Sequence, residues 1–143
     1  MLGILDAGHA EYSPETPSPL IALASCPVPD RSGGAPRLSG KQTIRIEPDA
    51  MVFRIYRRAE VQEEFFCNYE LNPQFRERIE AGRLRVAGVG EAGEVRIVEL
   101  PGHPFFVATL FLPQLSSAEV APHPLITAYL EAILSFRDAL QGS

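Results

Sequence analysis

At 143 residues the chain has the length of one domain, and its 45% apolar and 22% charged composition is that of a globular protein rather than a disordered one. A formal charge of −5 leaves no basic footprint for nucleic acid, and two cysteines, Cys26 and Cys67, build neither a disulfide framework nor a metal quartet. No apolar run nears the roughly 20 residues of a membrane span, and no basic-then-apolar leader opens the chain, so a cytoplasmic protein is expected.

In chain order, Pro-rich residues 13–19 lead into an apolar run, Pro19–Ala24, that reads as a buried strand. Residues 26–40, dense in Pro and Gly, read as a loop. Lys41–Glu47 alternates polar and apolar residues as a half-buried strand does, and Pro48 ends it. Ala50–Arg58 reads as a short helix, and Glu64–Leu71, rich in aromatic residues, as a strand. Asn72 then caps a helix with Pro73 in its first turn and Phe75 and Ile79 four apart; Gly82 closes it. Leu84–Val89 and Glu94–Leu100 are two strands around the turn at residues 90–93. Phe105–Phe111, apolar nearly throughout, predicts a central strand buried on both faces. Pro124–Leu140 predicts an amphipathic helix with Leu125, Ala128, Tyr129, Ala132, Ile133 and Phe136 on one side. The pattern is that of one α/β or α+β domain without internal repeats.

Chemistry-bearing motifs are sparse. Gly33-Gly34 lacks the Lys-Ser/Thr of a phosphate loop. His9, His103 and His123 are widely spaced, each beside Gly or Pro, and read as loop histidines rather than metal ligands. The arginines around Arg54 and Arg76 are interleaved with glutamates and read as solvated surface. No Gly-x-Cys/Ser-x-Gly nucleophile elbow occurs.

Four stretches in order resemble the glutaminase domain of CTP synthase: DAGHAEYSPETPSPLI (residues 6–21), the run from Asn68 to Phe111 that contains ELPGHPFFVAT, the short LPQ after it, and PHPLITAYLEAIL (residues 122–134). The resemblance implies a truncated, flavodoxin-like class I glutamine amidotransferase fold, a mixed sheet with flanking helices, spanning residues 1–143 as a single partial domain. The family's chemistry rests on a cysteine nucleophile, a histidine that takes its proton, a glutamate that orients the histidine, and an oxyanion pocket. By this resemblance the nucleophile and oxyanion loops precede the segment that starts at Met1, and they are expected to be absent. Where the family has Gln-Phe-His-Pro-Glu, this chain has Leu110-Phe111-Leu112-Pro113-Gln114. Leu112 thus stands at the general base and cannot accept a proton; Gln114 replaces the orienting carboxylate with an amide.

The positions that would hold substrate are mixed. Glu11 matches the family's partner for the α-ammonium of glutamine, and Tyr69 matches too, although it also reads as a packing residue. Asn68 stands where the family has an Arg that grips the α-carboxylate, and an amide supplies neither its charge nor its fork. The resemblance therefore implies a non-hydrolytic binding or assembly module, with a small amino-acid-like ligand, no cofactor and no metal. The alternatives are an enzyme of altered chemistry on an amide or amine, using His9, Glu11 and Cys67, or a protein active only with a partner that supplies the nucleophile half. An uncovered sheet edge at Phe105–Phe111 would favour a homodimer or another protein partner.

Overall fold

The computed structural model describes residues 3–24, 39–66 and 68–142. The expected loop at 26–40, but for its last two residues, and both cysteines lie outside the described residues.

The elements run β1 (Ala7–His9), β2 (Ser18–Leu23), β3 (Ser39–Ile46), α1 (Met51–Tyr56), β4 (Glu60–Phe66), β5 (Tyr69–Leu71), a 3-10 turn (Pro73–Phe75) into α2 (Arg76–Glu80), β6 (Arg85–Val89), β7 (Val95–Glu99), β8 (Val107–Thr109), a 3-10 turn (Pro113–Ser116) and α3 (Pro124–Gln141). The expected mixed sheet is realised as two. A three-stranded sheet orders β1-β2-β5, with β1 parallel and β5 antiparallel to β2. A five-stranded antiparallel sheet orders β4-β3-β6-β7-β8.

Local chemistry accounts for most boundaries. Asn72 accepts the Gln74 N–H with its side chain, as the Asn-Pro pair predicts. Gly93, at φ +84°, closes the β6–β7 turn by donating to the Gly90 carbonyl. Helix α1 has Ala50 at its N-cap, which offers no side-chain acceptor. Glu99 takes that role from β7: its carboxylate accepts the N–H groups of Met51 (3.0 Å) and Val52 (3.3 Å) and pairs with Arg85 at 2.8 Å.

The main core joins Ile44 and Ile46 of β3, Ala50, Val52, Ala87, Ile97, Phe111 and Leu125. A second cluster, Ile79, Val86 and Val95, seats α2 on the strands. Each large aliphatic residue buried in this way contributes about 1.5–3 kcal/mol.

Three expectations need correction. Glu64–Leu71 is two strands, not one: β4 pairs with β3, and β5 turns away to pair with β2 in the other sheet. Phe105–Phe111 is not a central strand buried on both faces; Val107–Thr109 is its laddered part, and among the described residues that strand pairs with β7 alone. The Leu112 N–H already donates across to the Glu64 carbonyl at 2.9 Å, so the run bridges β7 and β4. Of its apolar residues only Phe111 is fully buried. A continuous apolar stretch cannot by its period distinguish a two-sided strand from a crossing segment whose side chains serve several clusters. Third, the apolar side of α3 is not covered along its length: Leu125 is buried, whereas Tyr129, Ile133 and Phe136 are about half exposed or more.

Candidate functional site

Two groups of side chains concern function. The first lies at the three-stranded sheet. A register shift between Gly8 and His9 accompanies the end of β1, and a Cβ at Gly8 would sit 2.5–2.9 Å from the Thr16 side chain, so the strand approaches that loop at glycine only. His9 lies between two phenol rings, with centroids 5.0 Å from Tyr12 and 5.2 Å from Tyr69. Its Nδ1 accepts the Glu11 N–H at 3.2 Å, which leaves the proton on Nε2. The structure thus brings together His9, Glu11 and Tyr69 of the residues singled out in the sequence. Asn68 adjoins Tyr69, and its carbonyl accepts the Ala24 N–H at 2.8 Å. Cys67 lies outside the described residues.

The second group surrounds the segment that carries Leu112 and Gln114. That segment leaves β8, bonds to β4 at Glu64, and coils into the 3-10 turn with Leu115 N–H donating to the Leu112 carbonyl at 2.9 Å. Leu112 is half-buried and Gln114 is exposed. Beneath them lies a cluster that the sequence reading missed. His123, read there as a loop histidine, is 4% exposed and forms the N-cap of α3, its Nδ1 accepting the Leu125 N–H at 3.2 Å. This fixes the proton on Nε2, which donates to both oxygens of Glu63 at 3.0 and 3.1 Å.

Glu63 is itself buried. It accepts the Tyr56 hydroxyl at 2.6 Å and, more weakly, Ser116 Oγ at 3.4 Å, while Ser117 Oγ accepts the His123 N–H. Burial, with the hydrogen bond to Glu63 and its charge adding, drives the Tyr56 hydroxyl far above the ordinary phenol range, so it stays a neutral donor. The cluster ties α1, β4, the turn at Pro113–Ser116 and the start of α3 together. With Glu63 and His123 buried at its centre, it acts as a clamp between these elements. Two signals in the sequence mark it. His-Pro before an apolar helix is a capping arrangement, and Glu63 is in phase with Val61 and Phe65 on the inward side of β4.

Among the described residues no group of three or more His, Cys, Asp or Glu side chains is placed to hold a metal ion, and no helix is long and apolar enough to cross a membrane.

This architecture is the class I glutamine amidotransferase fold, flavodoxin-like, as found in the glutaminase domain of CTP synthase. The glutaminase domain of Trypanosoma brucei CTP synthase, solved with acivicin bound, superposes with a TM-score of 0.83 at 23% identity, covering 94% of this chain and 53% of that one. A Thermoplasma acidophilum protein assigned as one component of a GMP synthase superposes with a TM-score of 0.59 at 13% identity, covering 85% of this chain and 51% of that one.

In sequence the chain is similar to CTP synthases. It is 35% identical over 139 residues to that of Nostoc punctiforme, covering 93% of this chain and 25% of the relative. It is 34% identical over 148 residues to that of Mycobacterium tuberculosis, covering 95% of this chain and 24% of the relative. With the Rippkaea orientalis enzyme the identity is 38% over 133 residues, covering 88% of this chain and 23% of the relative. The chain therefore spans about a quarter of the length of the curated relatives it matches. No family model matches it.

Proposed function

We propose that this chain is a glutamine amidotransferase-like module that does not hydrolyse glutamine and works by binding or assembly. The observation that carries the reading is Leu112. The turn on which it sits is held by the Glu64 carbonyl and by the clamp of Tyr56, Glu63 and His123, so the backbone support is intact, yet the side chain offers no atom that can take a proton. Loss of a general base alone removes about 10²–10⁴-fold of proton-transfer catalysis. Gln114, an exposed neutral amide, has no charge with which to orient a base. Asn68 cannot grip a carboxylate as an arginine fork does.

A second reading is favoured by the tilted packing of His9 against Tyr12 and Tyr69. Aromatic rings with the carboxylate-bearing Glu11 two residues from His9 suit a small amine or amino-acid-like molecule, and Cys67 would be the nucleophile of an altered chemistry on an amide. As held, His9 has its Nδ1 engaged by the Glu11 N–H.

Ammonia release from glutamine by the purified chain, with thermal-shift readings across amino acids and amines, separates the two. The first reading expects no ammonia. Turnover of any amide that Glu11→Ala abolishes would replace it with the second.

A further inference from the structure

The outer half of α3 presents a surface that the fold does not use. Every residue from Ile133 to Gly142 is exposed, so the last turns are little covered by the body, although short isolated helices are marginal in water. Their apolar residues are ordered. Together with half-buried Ile126 and with Tyr129, which packs against Phe105 of the body at 5.5 Å between ring centroids, Ile133, Phe136 and Leu140 follow at spacings of three, four, three and four, the a and d positions of a heptad seam. Tyr129 is 51%, Ile133 45%, Phe136 60% and Leu140 66% exposed. The charged residues of the helix, Glu131, Arg137 and Asp138, lie beside or behind this seam. A groove lined by Phe105, Ala132, Ile133 and Phe136 carries the apolar surface on toward the body.

We propose that this seam is a homodimer interface in which α3 pairs antiparallel with α3 of a second copy. The antiparallel sense follows from the anchoring of α3, since Leu125 and His123 fix its start to the body while its end is free. A parallel pair would force the two bodies together; an antiparallel pair places them at opposite ends. About a two-fold axis between Leu134 and Ser135, Ile133 meets Phe136 and Tyr129 meets Leu140 of the second copy, each an a residue against a d residue. No like charges face each other at the flanks. Arg137 lies against Leu130 of the second copy, where its aliphatic stem packs and its head reaches water, and Ala132 opposes Ala139, which permits close approach.

The exposed parts of Tyr129, Leu130, Ile133, Phe136 and Leu140 amount to on the order of 500 Å² per copy, below the roughly 800 Å² per partner of a standard interface and in the range of a weak one. That area suits a reversible dimer.

Sedimentation velocity of the full chain from low to high micromolar concentration tests this, with a photo-crosslinker placed at position 140. The expected mass rises from 15.7 kDa to twice that value. Ile133→Glu and Phe136→Glu, both at exposed positions, each weaken association at least ~10-fold while circular dichroism stays that of the wild type. Glu131→Lys, on the far side of the helix, leaves association unchanged. The crosslinker captures the peptide that contains Tyr129. A monomer throughout overturns the proposal, as does a dimer indifferent to Phe136→Glu, or crosslinking of position 140 to itself. It is overturned equally if the chain stays monomeric and the seam instead takes up anionic vesicles or a separately expressed remainder of a glutaminase domain.

Discussion

Replacing His123 by alanine is the sharpest perturbation of the clamp beneath Leu112 and Gln114. The side chain does two things that alanine cannot. It caps α3 at the Leu125 N–H, worth about 1 kcal/mol for a polar cap lost to alanine. It also donates to the buried Glu63 carboxylate, and a hydrogen bond to a charged group contributes about 1.5–3 kcal/mol. Together the loss is about 2.5–4 kcal/mol, a large share of the roughly 5–15 kcal/mol that a domain of this kind holds. It corresponds to a fall in Tm of roughly 10 °C. Glu63 keeps Tyr56 and Ser116, so its remaining bonds hold the penalty below that of a bare buried charge. Urea unfolding followed by circular dichroism at neutral pH reads the effect. The double variant that also converts Glu63 to methionine should recover part of the loss, because no carboxylate is then left short of a donor. A His123→Ala protein within about 0.5 kcal/mol of wild type, a threshold at the edge of ordinary surface substitutions, would refute the assignment of a clamp.

The remaining predictions follow from other contacts. The Tyr56 hydroxyl ionises in the unfolded chain near pH 10 but only well above that when folded, so its contribution is complete below about pH 10 and is lost as the pH rises beyond it. Wild type should therefore be more stable than Tyr56→Phe at pH 8, with the gap closing by pH 11 in urea midpoints; a gap independent of pH would reject the reasoning. Gly88→Ala sets a methyl 2.8–2.9 Å from Ile97 and 3.1 Å from Ile44 in the core, and should cost about 1–3 kcal/mol, partly restored by Ile97→Val. Thermal melts of the single and double variants check it, and equal melts for all three would contradict the packing. Glu99→Gln keeps a side-chain oxygen for one N–H of α1 but loses the ion pair with Arg85, and a drop in stability of about 1–3 kcal/mol by urea unfolding is expected; no change would deny Glu99 its capping role.

Much of the architecture was legible where chemistry is local. The Asn72-Pro73 helix start, the Gly-rich turn at 90–93 and the alternation of β3 all stand where the residues place them, because a cap, a positive φ and a two-residue period are properties of neighbours in sequence. What escaped depends on distant partners. The aromatic content of residues 64–71 signals extended chain but not that the chain changes sheets in the middle. The apolar run at 105–111 serves more than one neighbourhood, β7 through Val107–Thr109 and the main core through Phe111, and no period records that. His123 and Glu63 are 60 residues apart, and nothing local announces that they meet. The reading of Leu112 and Gln114 as departures from a catalytic pattern rests on the resemblance alone, since a leucine and a glutamine on a turn mean nothing by themselves.

The central claim is tested most directly by incubating the purified chain with amide-15N-labelled glutamine and following the amide nitrogen by NMR. The account predicts an unchanged glutamine amide and no labelled ammonium above the blank. Labelled ammonium that accumulates in proportion to protein, and that disappears with Cys67→Ala, would contradict it and make this chain a glutaminase by another route.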